Sequence, residues 1–126
     1  ARVPNDVPGL NILENLQKKQ PIKRSGIFGE SLAHDIADIK NPEASLLFRW
    51  RIEGKWKLLL TYDGEVNRYQ STHPRTEKRP QLFDLSKDPH EKTNLAKKHP
   101  EVVADLATKI AAWWPLKERK AITKFE

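Results

Sequence analysis

Two stretches of the chain alternate apolar and polar residues in the way a half-buried strand does. In the first, Leu46, Phe48, Trp50 and Ile52 fall on one face and Arg49 and Arg51 on the other. In the second, Trp56, Leu58, Leu60 and Tyr62 alternate with Lys55, Lys57 and Thr61. The intervening Glu53-Gly54 marks a hairpin turn. Placing both apolar sets on one face requires Ile52 opposite Trp56 and Trp50 opposite Leu58. That predicts a three-residue loop over 53–55, or a bulge beside Gly54. On this reading the two tryptophans share a face that packs in the core; a sugar platform is the alternative.

A different period appears towards the end of the chain. Val103, Leu106, Ala107, Ile110 and Trp114 recur at spacings of three and four, the stripe of an amphipathic helix. Pro100 starts this helix and Pro115 stops it. Before it, Asp88-Pro89-His90-Glu91 reads as a short helix start, with Asp88 as cap and Glu91 reaching back. Gln81 to Leu85 reads as a short strand returning to the sheet. Nearer the start, Leu10, Ile12, Leu13 and Leu16 suggest a short helix or a turn-rich element, ended by Pro21. Ile27-Phe28-Gly29-Glu30 reads as a short, mostly buried strand. Asp63-Gly64 begins a turn, and residues 65–79 lack useful periodicity and read as a long polar, basic hairpin loop. The expected fold is therefore α+β: a small antiparallel sheet of about four strands packed against the C-terminal amphipathic helix. The expected organisation is a connector with a short helix over 1–24, the α+β domain over 25–114, and a loosely attached basic tail over 115–126.

Composition narrows the chemistry. The 126 residues suit one domain, and 23 Lys and Arg against 17 Asp and Glu leave a net charge of +6. That balance suits either anionic partners or a well-solvated surface. There is no cysteine, which excludes disulfides, thiol nucleophiles and Cys-ligated zinc. No apolar run approaches the roughly 20 residues that span a bilayer. The start at Ala1, where a whole protein would begin with Met, predicts a processed chain or a piece of a longer one.

Independent catalysis finds little support. Ser31, Ser45 and Ser71 lie in no nucleophile-elbow pattern, and the four histidines lack metal-ligand spacing. His34 and Asp35 follow a strand, where binding residues often stand; a turn-stabilising histidine is the alternative. The loop with Arg68, Tyr69, His73, Arg75, Lys78 and Arg79 has the residues to hold sulfate or phosphate groups and to stack a ring; a solvated loop is the alternative.

Several stretches in order resemble one family. Leu82-Phe83-Asp84-Leu85 through Asp88-Pro89-His90-Glu91 to Asn94-Leu95 resembles the LYDL-x-x-DP-x-E-x-x-NL segment near the C-terminus of type I, formylglycine-dependent sulfatases. Arg49 with Trp56-Lys57-Leu58 is similar to the family's R…WKL strand pair, and Trp113-Trp114 to its terminal helix. Pro8 to Leu13 looks like the stretch that closes the catalytic domain. Ile27-Phe28-Gly29-Glu30 with His34-Asp35 resembles the IFGE…HD strand of bacterial arylsulfatase-like members. The likeness runs over residues 3–114.

The resemblance implies a C-terminal subdomain whose parent hydrolyses sulfate esters, including those of sulfated glycans, with calcium and a formylglycine. Neither can be carried over. No Ser begins a C/S-x-P/A-x-R motif, and the family's calcium ligands lie upstream. The chain by itself is thus expected not to be catalytic. Its implied partners are the parent's catalytic domain and, through it, a sulfated substrate, with His34, Asp35, His73 and Arg75 as candidate substrate contacts. An exported parent, periplasmic or secreted, follows from the family's habit. Nucleic acid is not an expected partner. Two rivals stay open: a non-enzymatic basic module that binds polyanions, and a purely structural domain, which would expose an apolar patch when isolated.

Overall fold

The computed structural model describes residues 9–33, 38–62 and 78–123. The element order is α1 (Ile12–Gln17), β1 (Ile27–Leu32), a 3₁₀ turn (Pro42–Ser45), β2 (Leu46–Glu53), β3 (Trp56–Thr61), β4 (Gln81–Asp84) and α2 (Pro100–Trp113). The strands form one antiparallel four-stranded sheet in the order β1-β2-β3-β4. α2 lies across one face, as its apolar stripe predicts. Val103, Leu106 and Ile110 are buried against Leu58, Leu60 and Leu82, and Ala96 completes the cluster. Among the described residues, no helix is long and apolar enough to cross a membrane.

The register of the central hairpin differs from the expected one. Glu53 faces Trp56, Arg51 faces Leu58 and Arg49 faces Leu60. The loop holds only two residues, Gly54 and Lys55, and Gly54 takes φ +56°, a backbone state that a glycine adopts without steric cost. Because strand side chains alternate, this register puts the arginines of β2 on the helix side. Arg49 is only 3% exposed and Arg51 is also buried, while Phe48, Trp50 and Ile52 point to the other face and are half-buried. Trp50 and Trp56 therefore occupy opposite faces.

The burial of Arg49 has an electrostatic reason. Its guanidinium donates to the carbonyl of Ile110 at 3.2 Å, to that of Trp114, and to the Tyr62 hydroxyl. The last carbonyls of a helix lack intrahelical donors and carry the negative end of its dipole, so a cation there is favoured. Arg51 pairs with Glu53 at 2.6 Å and lies over the Phe28 ring, 4.2 Å from its centre. Glu53 in turn meets Lys109 of α2 at 2.8 Å. A polar layer thus joins β2 to α2.

Three further expectations are corrected. β1 is an edge strand and mostly exposed, with Ile27 and Leu32 both open to solvent. Residues 88–91 start no helix. Glu91 takes φ +55°, incompatible with a helical turn, and its carboxylate pairs with Lys57 at 2.6 Å, across from the loop. Asp88 accepts the N–H of Thr93 at 2.8 Å, and Asn94 holds β4 by accepting from Leu82 N–H and donating to the Pro80 carbonyl. The third correction concerns the tail, which is not loosely attached over 115–123. The buried Glu43 carboxylate accepts the N–H groups of Lys117 and Glu118 at 3.0–3.2 Å, and Ile122 N–H donates to Thr61. Ala121 bridges to Tyr62.

Candidate docking surface

α1 folds for local reasons. Asn11 caps it by accepting the Glu14 N–H at 3.1 Å, and Lys18 pairs with Glu14 one turn away at 2.5 Å. That pairing holds the Glu14 carboxyl below the usual carboxylate range. Lys19, at φ +50°, ends the helix before Pro21 is reached. Ile12, Leu13 and Leu16 fall on one side of this single short helix, yet none of its residues is buried. Leu13 is 64% and Leu16 66% exposed. A six-residue helix is marginal by itself in water, so an apolar side left open has nothing local to hold it in place. Leu10 and Ile22, on either side of α1, are exposed as well.

Beside α1 runs an open groove of about 440 Å³, lined by Leu10, Lys23, Arg24, Ile27, Phe28 and Trp113 among others. Its firm wall is aromatic. Phe28 and Trp113 stack with centroids 4.9 Å apart and planes 8° from parallel, and Arg51 lies on the Phe28 ring. Trp113 is not among the candidate contact residues that the sequence offers. Position 113 continues the edge of the 103, 106, 107, 110 stripe, three residues after Ile110, yet its ring is 41% exposed.

The four candidate contact residues, His34, Asp35, His73 and Arg75, lie outside the described residues, as do Arg68 and Tyr69. What borders them is described. A small apolar cleft of about 150 Å³ lies between Leu32 and Ala33 on one side and Ile39, Pro42 and Ser45 on the other. Lys78 supplies a carbonyl to the Thr61 hydroxyl at 2.5 Å, which ties the end of the long loop to β3.

The titrating groups of the fold are structural. Lys109 and then Arg51 hold the Glu53 carboxyl below its ordinary range, and the Ser86 hydroxyl does the same for Asp84. Burial pushes the Tyr62 phenol up despite the nearby Arg49. Among the described residues, no three His, Asp or Glu side chains converge to hold a metal. The described donors therefore do not fit a calcium site.

No family model matches the chain. It is similar to the N-acetylgalactosamine-6-O-sulfatase of Bacteroides thetaiotaomicron, with 42% identity over 57 residues, which is 44% of this chain and 11% of that protein. A solved sulfatase chain, described within the metabolism of multiple glycosaminoglycans by Bacteroides thetaiotaomicron, superposes with a TM-score of 0.59 and 27% identity. That match covers 89% of this chain and 21% of the solved one. The chain thus spans a minor part of the length of both proteins.

Proposed function

We propose that the chain is the C-terminal domain of a sulfatase and that it serves a longer parent by docking α1 against the catalytic domain that hydrolyses sulfate esters. The observation that carries this reading is the open apolar side of α1, with Leu13 and Leu16 each about two-thirds exposed. The matched proteins are several times longer than this chain, so a large additional domain is available to cover that side. Burying three such side chains is worth roughly 1.5–3 kcal/mol each, enough to fix one domain on another.

The parent supplies the catalytic groups, a formylglycine nucleophile and calcium by the resemblance, and this domain supplies a rigid support. A glycan sulfate ester is the substrate class that the two relatives favour. Contact between that substrate and His34, Asp35, His73 or Arg75 remains part of the proposal.

The test uses the native full-length protein. Leu13→Glu with Leu16→Glu should lower both its melting temperature and its sulfate release from a sulfated glycosaminoglycan. If melting and sulfate release both match the unaltered protein, α1 does not dock on the catalytic domain. Alanine at His34 or Arg75 then asks about substrate contact: an unchanged kcat/KM removes that residue.

A further inference from the structure

We propose that the groove walled by Phe28 and Trp113 binds an anionic sugar ring. The choice of a sugar rests on the sulfatase reading; the groove itself does not. It is an open groove of about 440 Å³, against which a ligand lies without being enclosed.

The chemistry of its lining is mixed in a specific way. Trp113 lines the groove and stays 41% exposed, although Val103, Leu106 and Ile110 of the same helix are buried. Its ring is held from behind by a layered stack, Trp113 on Phe28 on Arg51, and Arg51 is itself fixed by Glu53. An aromatic surface held this firmly loses little freedom when a ligand lies against it. Lys23 and Arg24 line the same groove, and neither has an ion-pair partner among the described residues. A lysine and an arginine with no ion pair to the described residues can meet a sulfate or carboxylate, and a guanidinium can grip either one in two-point fashion.

A ring with an apolar face and one or two anionic substituents satisfies both parts of the lining. A nucleic acid strand satisfies them less well. Single-strand binders stack successive bases on several aromatic side chains along a basic track. This groove offers a single exposed ring and two cations. The functional consequence is retention: a sulfated polysaccharide held here stays at high local concentration around the catalytic domain.

The experiment titrates a chondroitin sulfate tetrasaccharide, and its desulfated counterpart, into the native full-length protein. The expected result is a tryptophan fluorescence change with the sulfated form that Trp113→Phe removes. Lys23→Glu with Arg24→Glu, both at exposed positions, should raise Kd at least tenfold. An unchanged Kd in that double variant overturns the proposal, even if the Trp113 variant fails to fold. Complete shielding of Trp113 from acrylamide in the ligand-free protein overturns it too, because the rest of the chain then fills the groove. Tighter binding of oligothymidylate, with the same fluorescence change, would make it a nucleic-acid groove instead. Release of sulfate from a small aryl sulfate is measured separately on the unaltered protein. Its absence removes the sulfatase reading and leaves the groove result standing.

Discussion

α1 and α2 carry the same kind of apolar stripe and meet opposite fates. α2 buries Val103, Leu106 and Ile110 against the sheet, while α1 leaves Ile12, Leu13 and Leu16 in solvent. The difference is one of partners. The segment after β4 carries α2 back over the sheet, and the Arg49 guanidinium then fastens the carbonyls of Ile110 and Trp114 at its end. α1 precedes an edge strand and is separated from it by an extended stretch with Pro21. A hydrophobic stripe therefore reports that a face will be covered, and the surrounding chain decides by what.

The comparison is broken most severely in α2. Leu106→Ala should destabilise the fold by about 2–5 kcal/mol, since the cavity opens between helix and sheet. Denaturant unfolding followed by far-ultraviolet circular dichroism measures this, and a loss below about 1 kcal/mol would show that the helix is not the keystone of the core. Arg49→Ala comes next, at roughly 3 kcal/mol, because it removes the buried guanidinium that donates to the Ile110 and Trp114 carbonyls and to the Tyr62 hydroxyl. Thermal melting against Tyr62→Phe separates the two contributions. Tyr62→Phe should cost less, since the arginine keeps its two carbonyls.

Gly29→Ala tests the second face of the sheet. A methyl group there would come within 2.2 Å of the Trp50 ring, so the ring must move at a cost of about 1–3 kcal/mol. Wild-type stability in this variant would mean that Trp50 is not held against β1.

Acidification acts on the sheet, on α2 and on the turn after β4 through three carboxylates. Ser86 holds Asp84 below its ordinary pKa, the Lys92 and Thr93 N–H groups do so for Asp88, and Lys109 and Arg51 for Glu53. A depressed folded-state pKa contributes stability that is complete above the unfolded value of roughly 4 and is lost as pH falls through the lower folded value. Stability should therefore be flat from pH 7 to about 5 and fall below that. Asp84→Asn should shallow the fall, and a fall of unchanged steepness would remove Asp84 as a contributor.

The smallest effect belongs to α1, and it sharpens the contrast most. In this chain alone, Leu13→Ser with Leu16→Ser should change stability by no more than about 0.5 kcal/mol, as exposed positions do. In the full-length protein the same pair should destabilise measurably. Equal, negligible effects in both would mean that α1 stays uncovered.

Local pattern was enough for much of this molecule. The period of residues 103–110 defined α2 and its buried side, alternation located β2 and β3, and Asn11 through Gln17 wrote their own helix. The ordered motifs between Arg49 and Trp114 carried the family. The candidate site was far less legible. The residues singled out for substrate contact fall in stretches outside the described structure, and the Trp113 groove joins positions near 24, 28 and 113 that no local pattern connects.

What only the tertiary structure decided was which side of each pattern faces inward. Alternation along β2 separates Phe48, Trp50 and Ile52 from Arg49 and Arg51, and hydrophobicity assigns the first set to the core. The structure assigns the second, because the end of α2 offers carbonyls that need a cation and the two-residue turn at Gly54 sets the register accordingly. The same holds for Glu43, whose burial makes sense only once the N–H groups of Lys117 and Glu118, more than 70 positions away in sequence, arrive to satisfy it. Periodicity is a property of a segment. Polar satisfaction is a property of segments that meet, and their meeting is not written in either one.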